Sequence, residues 1–455
     1  MKFHLIGVGG AGMSVVAELL LAEGHEVSGS DRAESANLNR LHAMGVKTFV
    51  GHHADHVPPD AVVVVSSAIK PENLELQIAQ IRGQKILHRS QALVLAAKER
   101  DFVAVAGAHG KTSTTGILAM AFQELGWQPS WAIGGSLVGG QSGGHLGSGS
   151  VLVAEADESD GSFLNYRSRV AIVTSVEPDH LDYYGTPAAF AEAFAQFAKR
   201  LVPGGLLVCN ADHPGSAHLA QQSRAAGIRV HTYGISPAEL GAEDRHAQLT
   251  LPPASNAPAE ISFAGRQYSL QLKVPGEHNY FNATAAWLAG VELGADGSEM
   301  AHALTAFRGM QRRFELRGTV AGIRVIDDYA HHPTEVSATL KTARTLAPHV
   351  RVLFQPHLYS RTKAFAKEFA EALSAADSVI VTAVYPAREE PSAGAEGDAI
   401  TACLPEAEFI ASADEAAKQI AHTAEPGDIV ITMGAGDITG YAPIVLTELK
   451  KWEAK

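Results

Sequence analysis

Cysteine is scarce: Cys209 and Cys403 are the only two in 455 residues, and they stand far apart. No C-x-x-C pair exists, which argues against a disulfide framework or a cysteine zinc site and fits a reducing, cytoplasmic setting. Long apolar runs are missing too. No stretch reaches the ~18 residues that a membrane helix needs, so no membrane partner is expected. The run after Lys2 imitates a signal peptide, but Glu18 interrupts it, and Gly7, Gly9, Gly10 and Gly12 fit a tight turn better than an apolar h-region. Positive charge is in deficit, with 36 Lys+Arg against 49 Asp+Glu and a net charge of −13. That argues against nucleic-acid binding through a broad basic face. Local phosphate binding remains open, since a helix N-terminus and a few placed cations suffice.

What the chain has is globular composition, 46% hydrophobic and 19% charged, in a length that allows two to four domains. Short apolar runs predict strands at Lys2–Ile6, Ala61–Ser66, Phe102–Ala106, Val151–Ala156, Ala171–Ser175, Gly205–Asn210, Ile323–Ile326, Val350–Phe354, Ser378–Ala383 and Asp428–Met433. Segments of helical period, such as Met13–Glu23 and Thr362–Ala376, lie between many of them. This alternation predicts an α/β fold of parallel sheets with helices on both faces. The pattern restarts at Gly7–Gly12, at Gly107–Thr112 and near Arg324–Asp328, so domains are expected over residues 1–98, 99–317 and 318–455. Gly134–Ser150 is Gly/Ser-rich and reads as a mobile loop, a linker in the plain reading and a substrate-contacting flap in the functional one. Ser236–Pro258, rich in Pro, Ala and acids, reads as surface connections.

Phe102–Thr112 runs from a strand through a glycine loop into a helix that opens near Thr112. In that geometry backbone N–H groups and the helix dipole cradle phosphate. Gly107, Ala108, His109, Gly110, Lys111, Thr112 and Ser113 form the candidate loop, with Lys111 reaching β/γ-phosphates and the Thr112 hydroxyl placed for Mg²⁺. Only two residues separate Gly107 from Gly110, fewer than the usual P-loop has. The apolar strand Val151–Ala154 runs into Glu155, Asp157 and Glu158, and spacing does not choose among these acids for a metal. The next strand leads to Glu177, Asp179 and His180, so a metal site with His180 as a ligand is expected.

Gly7, Gly9 and Gly12 make a literal G-x-G-x-x-G, and Asp31 follows about 20 residues on, where a nicotinamide dinucleotide site would want an acid. A nucleotide sugar diphosphate satisfies the same helix N-terminus equally. His52, His53, Asp55 and His56 have metal-like spacing but no companion cluster. Arg312-Arg313-Phe314-Glu315 reads as a charge run or a phosphate clamp. Asp327–Pro333 and Phe354–Thr362 each place polar groups after an apolar strand, where α/β sheets bind ligands.

Several strings together resemble the Mur ligase family: GVGGAGMS at Gly7–Ser14, GAHGKTST at Gly107–Thr114, EADESDGSFL at Glu155–Leu164 and EPDHLDYYG at Glu177–Gly185. The resemblance continues through PGEHNYFNATAA at Pro275–Ala286, RRFELRG at Arg312–Gly318, DDYAHHPTE at Asp327–Glu335, FQPHLYSRT at Phe354–Thr362 and GAGDI at Gly434–Ile438. DDYAHHPTE and FQPHLYSRT mark the alanine-adding branch. The resemblance implies an N-terminal Rossmann-like domain binding UDP instead of NAD, a central P-loop domain binding ATP, and a C-terminal Rossmann-like domain bringing the amino acid. It implies ATP-dependent joining of L-alanine to UDP-N-acetylmuramate through an acyl phosphate, with ATP and Mg²⁺ as cofactors and a monomer or homodimer as the acting form.

By the same resemblance Lys111, Glu155, His180 and Arg313 carry the chemistry. Thr112 and Glu155 hold the ATP magnesium, and His180 holds a second metal. His278, Asn279 and Asn282 sit on the adenine side, and Asp328 and Tyr329 on the ATP side of the third domain. Gly9, Gly10, Gly12, Met13, Ser14, Asp31 and Ser67 are expected at the sugar nucleotide, and His331 and Arg361 at the amino acid. Two positions depart from the family pattern. Leu358 stands where arginine is frequent, and Thr186–Ala198 lacks the lysine that other branches use for metal support, Lys199 being the first.

Overall fold

The computed structural model describes residues 1–96, 100–237, 245–253, 257–387, 389–390 and 396–453. Among these residues the strands form three sheets, giving a three-domain α/β chain. The expected boundary at 98/99 lies outside the described residues. The chain falls into two compact units, Met1–Lys273 with Asn279–Arg308, and Val274–His278 with Gly309–Lys455.

The first unit holds two sheets. In the five-stranded one the order is Lys47–Val50, Glu26–Asp31, Lys2–Ile6, Val62–Val65, Ile86–His88, all parallel. Chain order reverses on either side of Lys2–Ile6, so the glycine turn that follows it opens at the point where such sheets bind ligands. The ten-stranded sheet has Asp101–Ala106 between Val151–Glu155 and Val170–Val173, again parallel. These strands carry Val, Ala and Ile on both faces and are buried nearly end to end, as parallel strands covered by helices must be. The second unit has a six-stranded sheet in which Ile323–Asp328, Ile429–Met433 and Val350–Phe354 lie side by side and parallel. Helices Pro333–Arg344 and Ala366–Leu373 contribute to one of its cores, and Ala413–Thr423 and Ala442–Glu453 to the other.

Three expectations are corrected. Thr362–Ala376 is two helices, Tyr359–Ala364 and Ala366–Leu373, because Phe365 leaves helical geometry at φ −122°, ψ 21°. Within Ser236–Pro258, residues 238–244 and 254–256 lie outside the described residues, but Arg245–Thr250 is a strand paired with Arg229–Gly234 and Ala259–Phe263. Gly134–Ser150 is not a bare linker. It contains the strand Gly144–His145, antiparallel to Ser130–Ala132, with Leu137 buried and the Trp131 indole donating to the Ser142 carbonyl.

Glycine is required in that hairpin for packing. A Cβ on Gly147 would fall on the carbonyl oxygens of Gln128 and Pro129, which are backbone and cannot swing away. Gly147→Ala is therefore expected to cost about 1–3 kcal/mol in urea denaturation. An unpacked linker would instead show no loss or a small gain.

Candidate active site

The strand Asp101–Ala106 delivers the chain to a turn that only glycine can make at two points. Gly107 has φ +133° and Gly110 φ +82°. A Cβ on Gly107 would strike the Thr174 hydroxyl, and one on Gly110 would lie 2.7 Å from the Asn282 amide oxygen. The Ala108 and His109 N–H groups donate to the Ser175 carbonyl (3.2 Å) and hydroxyl (3.0 Å), which fixes the turn against the next strand. Helix Lys111–Glu124 then starts from Gly110 with no side-chain cap, so its first N–H groups and its dipole are presented to an anion.

The structure separates the three acids that spacing left undecided. Glu155 faces Thr112, whose hydroxyl donates to both carboxylate oxygens at 3.1–3.2 Å, and it accepts the Gly134 N–H at 2.9 Å. Glu158 takes Lys111 at 2.8 Å, while the Lys111 ammonium also donates to the carbonyls of Gly107 (2.7 Å) and Ala108 (3.3 Å). Asp157 pairs with Arg89 at 2.6 Å. Burial pushes the Glu158 carboxyl up to about 7 against the pull of Lys111, and the neighbouring carboxylates hold the Lys111 ammonium above its usual range despite burial. His180, at φ +52°, brings Nε2 to 4.0 Å from Glu158 Oε1 and 3.6 Å from Asp179.

A divalent metal fits this arrangement. Glu158 Oε2 is buried with no hydrogen-bond partner among the described residues. The nearby donors are a hydroxyl, carboxylates and an imidazole, a predominantly hard set. His109 reaches Glu177 at 3.3 Å, and Asn279 and Asn282 are buried one turn apart on helix Glu277–Glu292. Asn282 faces the Gly107–Gly110 loop itself, a contact that the adenine-side expectation did not contain.

The other glycine turn is pinned from both sides. The Gly9 N–H donates to Asp31 Oδ2, and its carbonyl accepts the Asn37 side-chain amide, each at 2.9 Å. Asp31 therefore holds the loop itself. Gly10 precedes helix Ala11–Ala22 without a side-chain cap. A Cβ on Gly12 would lie 3.0 Å from Arg89 Nη1. Met13 is packed in the core, and the buried Ser14 hydroxyl donates to the Ala11 carbonyl (3.0 Å). Ser67 donates to Asp160 and lies 3.2 Å from His88 Nε2. Sequence reasoning missed Arg89, although a cation directly after strand Ile86–His88 was a readable signal. The His52–His56 cluster has another use: His52 and His56 hydrogen-bond the buried Glu75 at 3.1 and 3.0 Å. Burial alone would raise the Glu75 carboxyl, but the bonds of His4, Ser30 and His52 bring it down to about 2.

In the second unit the strand end Asp327-Asp328-Tyr329 is packed by Arg312 and Arg313, whose guanidinium carbons lie 4.7 and 5.0 Å from the Tyr329 ring centroid. Arg312 donates to the carbonyls of Gly434 (2.7 Å) and Gly436 (3.0 Å). Arg313 approaches Glu335 at 3.6 Å, and His331 meets the same carboxylate at 3.2 Å. His278 belongs to this unit, where burial, helped by Arg313, lowers its imidazole to about 4. Arg361 is buried. Leu358 holds φ +70°, a strained value for leucine, at the start of helix Tyr359–Ala364. Asp328 accepts the N–H groups of Phe314 (2.7 Å) and Ala330 (2.8 Å) and the Thr339 hydroxyl (3.1 Å), so it orders the loop that carries Arg313.

Burial raises the Asp328 carboxyl from 3.8 to about 6. A raised carboxyl contributes stability that is full below pH 3.8 and lost as pH rises through about 6, at most about 3 kcal/mol here. Chemical denaturation between pH 5 and pH 7.5 is expected to show a steeper loss of stability with rising pH in the native chain than in Asp328→Asn, which keeps the contribution of the raised Glu158 carboxyl. Equal slopes would remove Asp328 as the cause.

Models of three Mur ligase domains match in order: the Mur ligase family, catalytic domain, over residues 2–101, the Mur ligase middle domain over 105–290, and the Mur ligase, glutamate ligase domain, over 312–436. The UDP-N-acetylmuramate–L-alanine ligase of Kineococcus radiotolerans is 49% identical, with 98% of this chain and 96% of that protein covered. The crystal structure of the UDP-N-acetylmuramate-alanine ligase of Thermotoga maritima covers 100% of both chains at 30% identity with a TM-score of 0.79. That of a murein peptide ligase from Psychrobacter arcticus covers 99% of this chain and 98% of its own at 27% identity and a TM-score of 0.72. With near end-to-end identity of this degree and three domain matches in order, this chain belongs to the Mur ligase family.

Proposed function

We propose that the chain is an ATP-dependent ligase that joins L-alanine to the carboxylate of UDP-N-acetylmuramate, in cytoplasmic synthesis of the peptidoglycan precursor. The observation that carries the chemistry is the pairing of Lys111 with Glu158 beside Thr112 and Glu155, at an uncapped helix N-terminus. A carboxylate is a poor acyl donor and must be activated. The muramate carboxylate oxygen attacks the γ-phosphorus of ATP, the bond to the ADP oxygen breaks, and an acyl phosphate forms. Lys111 offsets the negative charge that would repel this attack. Bound Mg²⁺, held by Thr112 and Glu155 with His180 for a second ion, supplies further charge neutralisation. The neutral alanine amine then attacks the acyl carbon, phosphate leaves, and the nitrogen loses a proton.

The division of labour among residues belongs to the same proposal. Gly107–Ser113, Asn279, Asn282 and His278 serve ATP, and Arg313 its γ-phosphate. Tyr329 packs the arginines, and Asp328 positions their loop. The Gly9–Gly12 turn with Asp31 and Ser67 serves the sugar nucleotide, and His331 and Arg361 the amino acid. The relatives' names and the 49% identity support alanine as the amine donor. The likeness to the murein peptide ligase makes a peptide donor the alternative to exclude.

Phosphate release from Mg-ATP is expected to need UDP-N-acetylmuramate and L-alanine together. Release with the tripeptide L-alanyl-γ-D-glutamyl-meso-diaminopimelate and not with alanine would assign the chain to the peptide-joining branch. Lys111→Ala is expected to lower kcat by at least about 10²-fold. Unchanged turnover would displace Lys111 from the phosphate site.

A further inference from the structure

Helix Ala11–Ala22 buries an acid, Glu18, against helix Ala36–Ala43 and the Gly/Ser hairpin. A buried carboxylate is costly unless paired and hydrogen-bonded. Its partners come from two distant places. Arg40 Nη2 lies 2.7 Å from Glu18 Oε1, and the Ser142 hydroxyl of the Gly/Ser hairpin donates to Oε2 at 2.6 Å. Arg40 Nη1 donates to that same Ser142 oxygen at 2.9 Å, which closes a ring of three side chains. One link leads from the ring to the glycine turn. Arg40 Nη2 also donates to the Asn37 amide oxygen at 3.3 Å, and the Asn37 NH₂ donates to the Gly9 carbonyl at 2.9 Å.

The orientation of the Asn37 amide follows from this. With its oxygen turned to a guanidinium, its NH₂ must face Gly9, where a carbonyl waits. Gly9 is then held at both ends of one residue, the N–H by Asp31 and the C=O by Asn37, just before the uncapped start of helix Ala11–Ala22. A turn fixed before the ligand arrives does not lose freedom on binding it. We propose that Arg40 is a positioning residue for the sugar-nucleotide site, acting through Asn37 on the Gly9 turn, and that Ser142 of the Gly/Ser hairpin locks Arg40 in place. The inference rests on reading the Gly7–Gly12 turn as the diphosphate site.

Calorimetry with UDP-N-acetylmuramate and no ATP, together with steady-state kinetics, tests it. Arg40→Met and Asn37→Ala are each expected to weaken binding and raise the KM for UDP-N-acetylmuramate about tenfold, roughly what one lost hydrogen bond is worth. The KM for ATP and for L-alanine stays put. Ser142→Ala moves the same constants by less, and Arg40→Lys restores part of the loss. Asn37→Ala leaves the Glu18–Arg40–Ser142 ring intact, so it answers the question if Arg40→Met folds poorly. A lower melting temperature with unchanged affinity in both variants would make the ring a structural tether and overturn the proposal. Failure of the native chain to bind UDP-N-acetylmuramate at all would instead sink the reading on which it rests.

Discussion

A largely buried lysine ammonium, at the start of the helix that follows a central strand, is the constraint around which the Gly107–Gly110 loop is arranged. Lys111 needs compensation, and it has three carbonyl or carboxylate oxygens within 3.3 Å, with Glu155 and Asp157 close enough to hold its charge as well. That requirement explains why a short loop carries glycine at both turning points, since the carbonyls of Gly107 and Ala108 must point back at the amine. It also explains why an acid buried at Glu158, costly on its own, is tolerated there. The same arrangement supplies what phosphoryl transfer needs: a fixed cation, an uncapped helix N-terminus and hard metal donors in one place.

Much of this was legible in sequence. Central parallel strands such as Lys2–Ile6 and Val350–Phe354 are buried on both faces and therefore read as apolar runs, and their bounds match. Flanking strands were missed for the complementary reason. Glu26–Asp31 (EVSGSD), Lys47–Val50 (KTFV) and Arg229–Gly234 (RVHTYG) carry polar or small residues, so no apolar run announces them. The glycine loops were readable because positive φ at Gly7, Gly107 and Gly110 leaves a compositional trace.

Pairings across long sequence separations left no such trace. Glu158 was visible among three acids, but only the fold turns it to Lys111 and turns Asp157 to Arg89. Asn282 joins the phosphate loop through the helix Glu277–Glu292, far along the chain. The Gly/Ser hairpin misled for a related reason. Composition registers freedom in an isolated chain, whereas here Gly143, Gly147 and Gly149 are small because backbone carbonyls of the same unit press against them. The apparent metal cluster at His52–His56 resolved into hydrogen bonds on Glu75, an acid that no spacing rule connects with it.

In the proposed reaction ATP activates a carboxylate by forming an acyl phosphate at Lys111. Isotope transfer addresses it most directly. UDP-N-acetylmuramate labelled with ¹⁸O in its carboxylate would be turned over with Mg-ATP and L-alanine, and the released phosphate examined by mass spectrometry. One ¹⁸O atom per phosphate is expected, carried over when the acyl–oxygen bond breaks. Unlabelled phosphate, with both labelled oxygens absent from it, would contradict the acyl phosphate and with it the role assigned to this site.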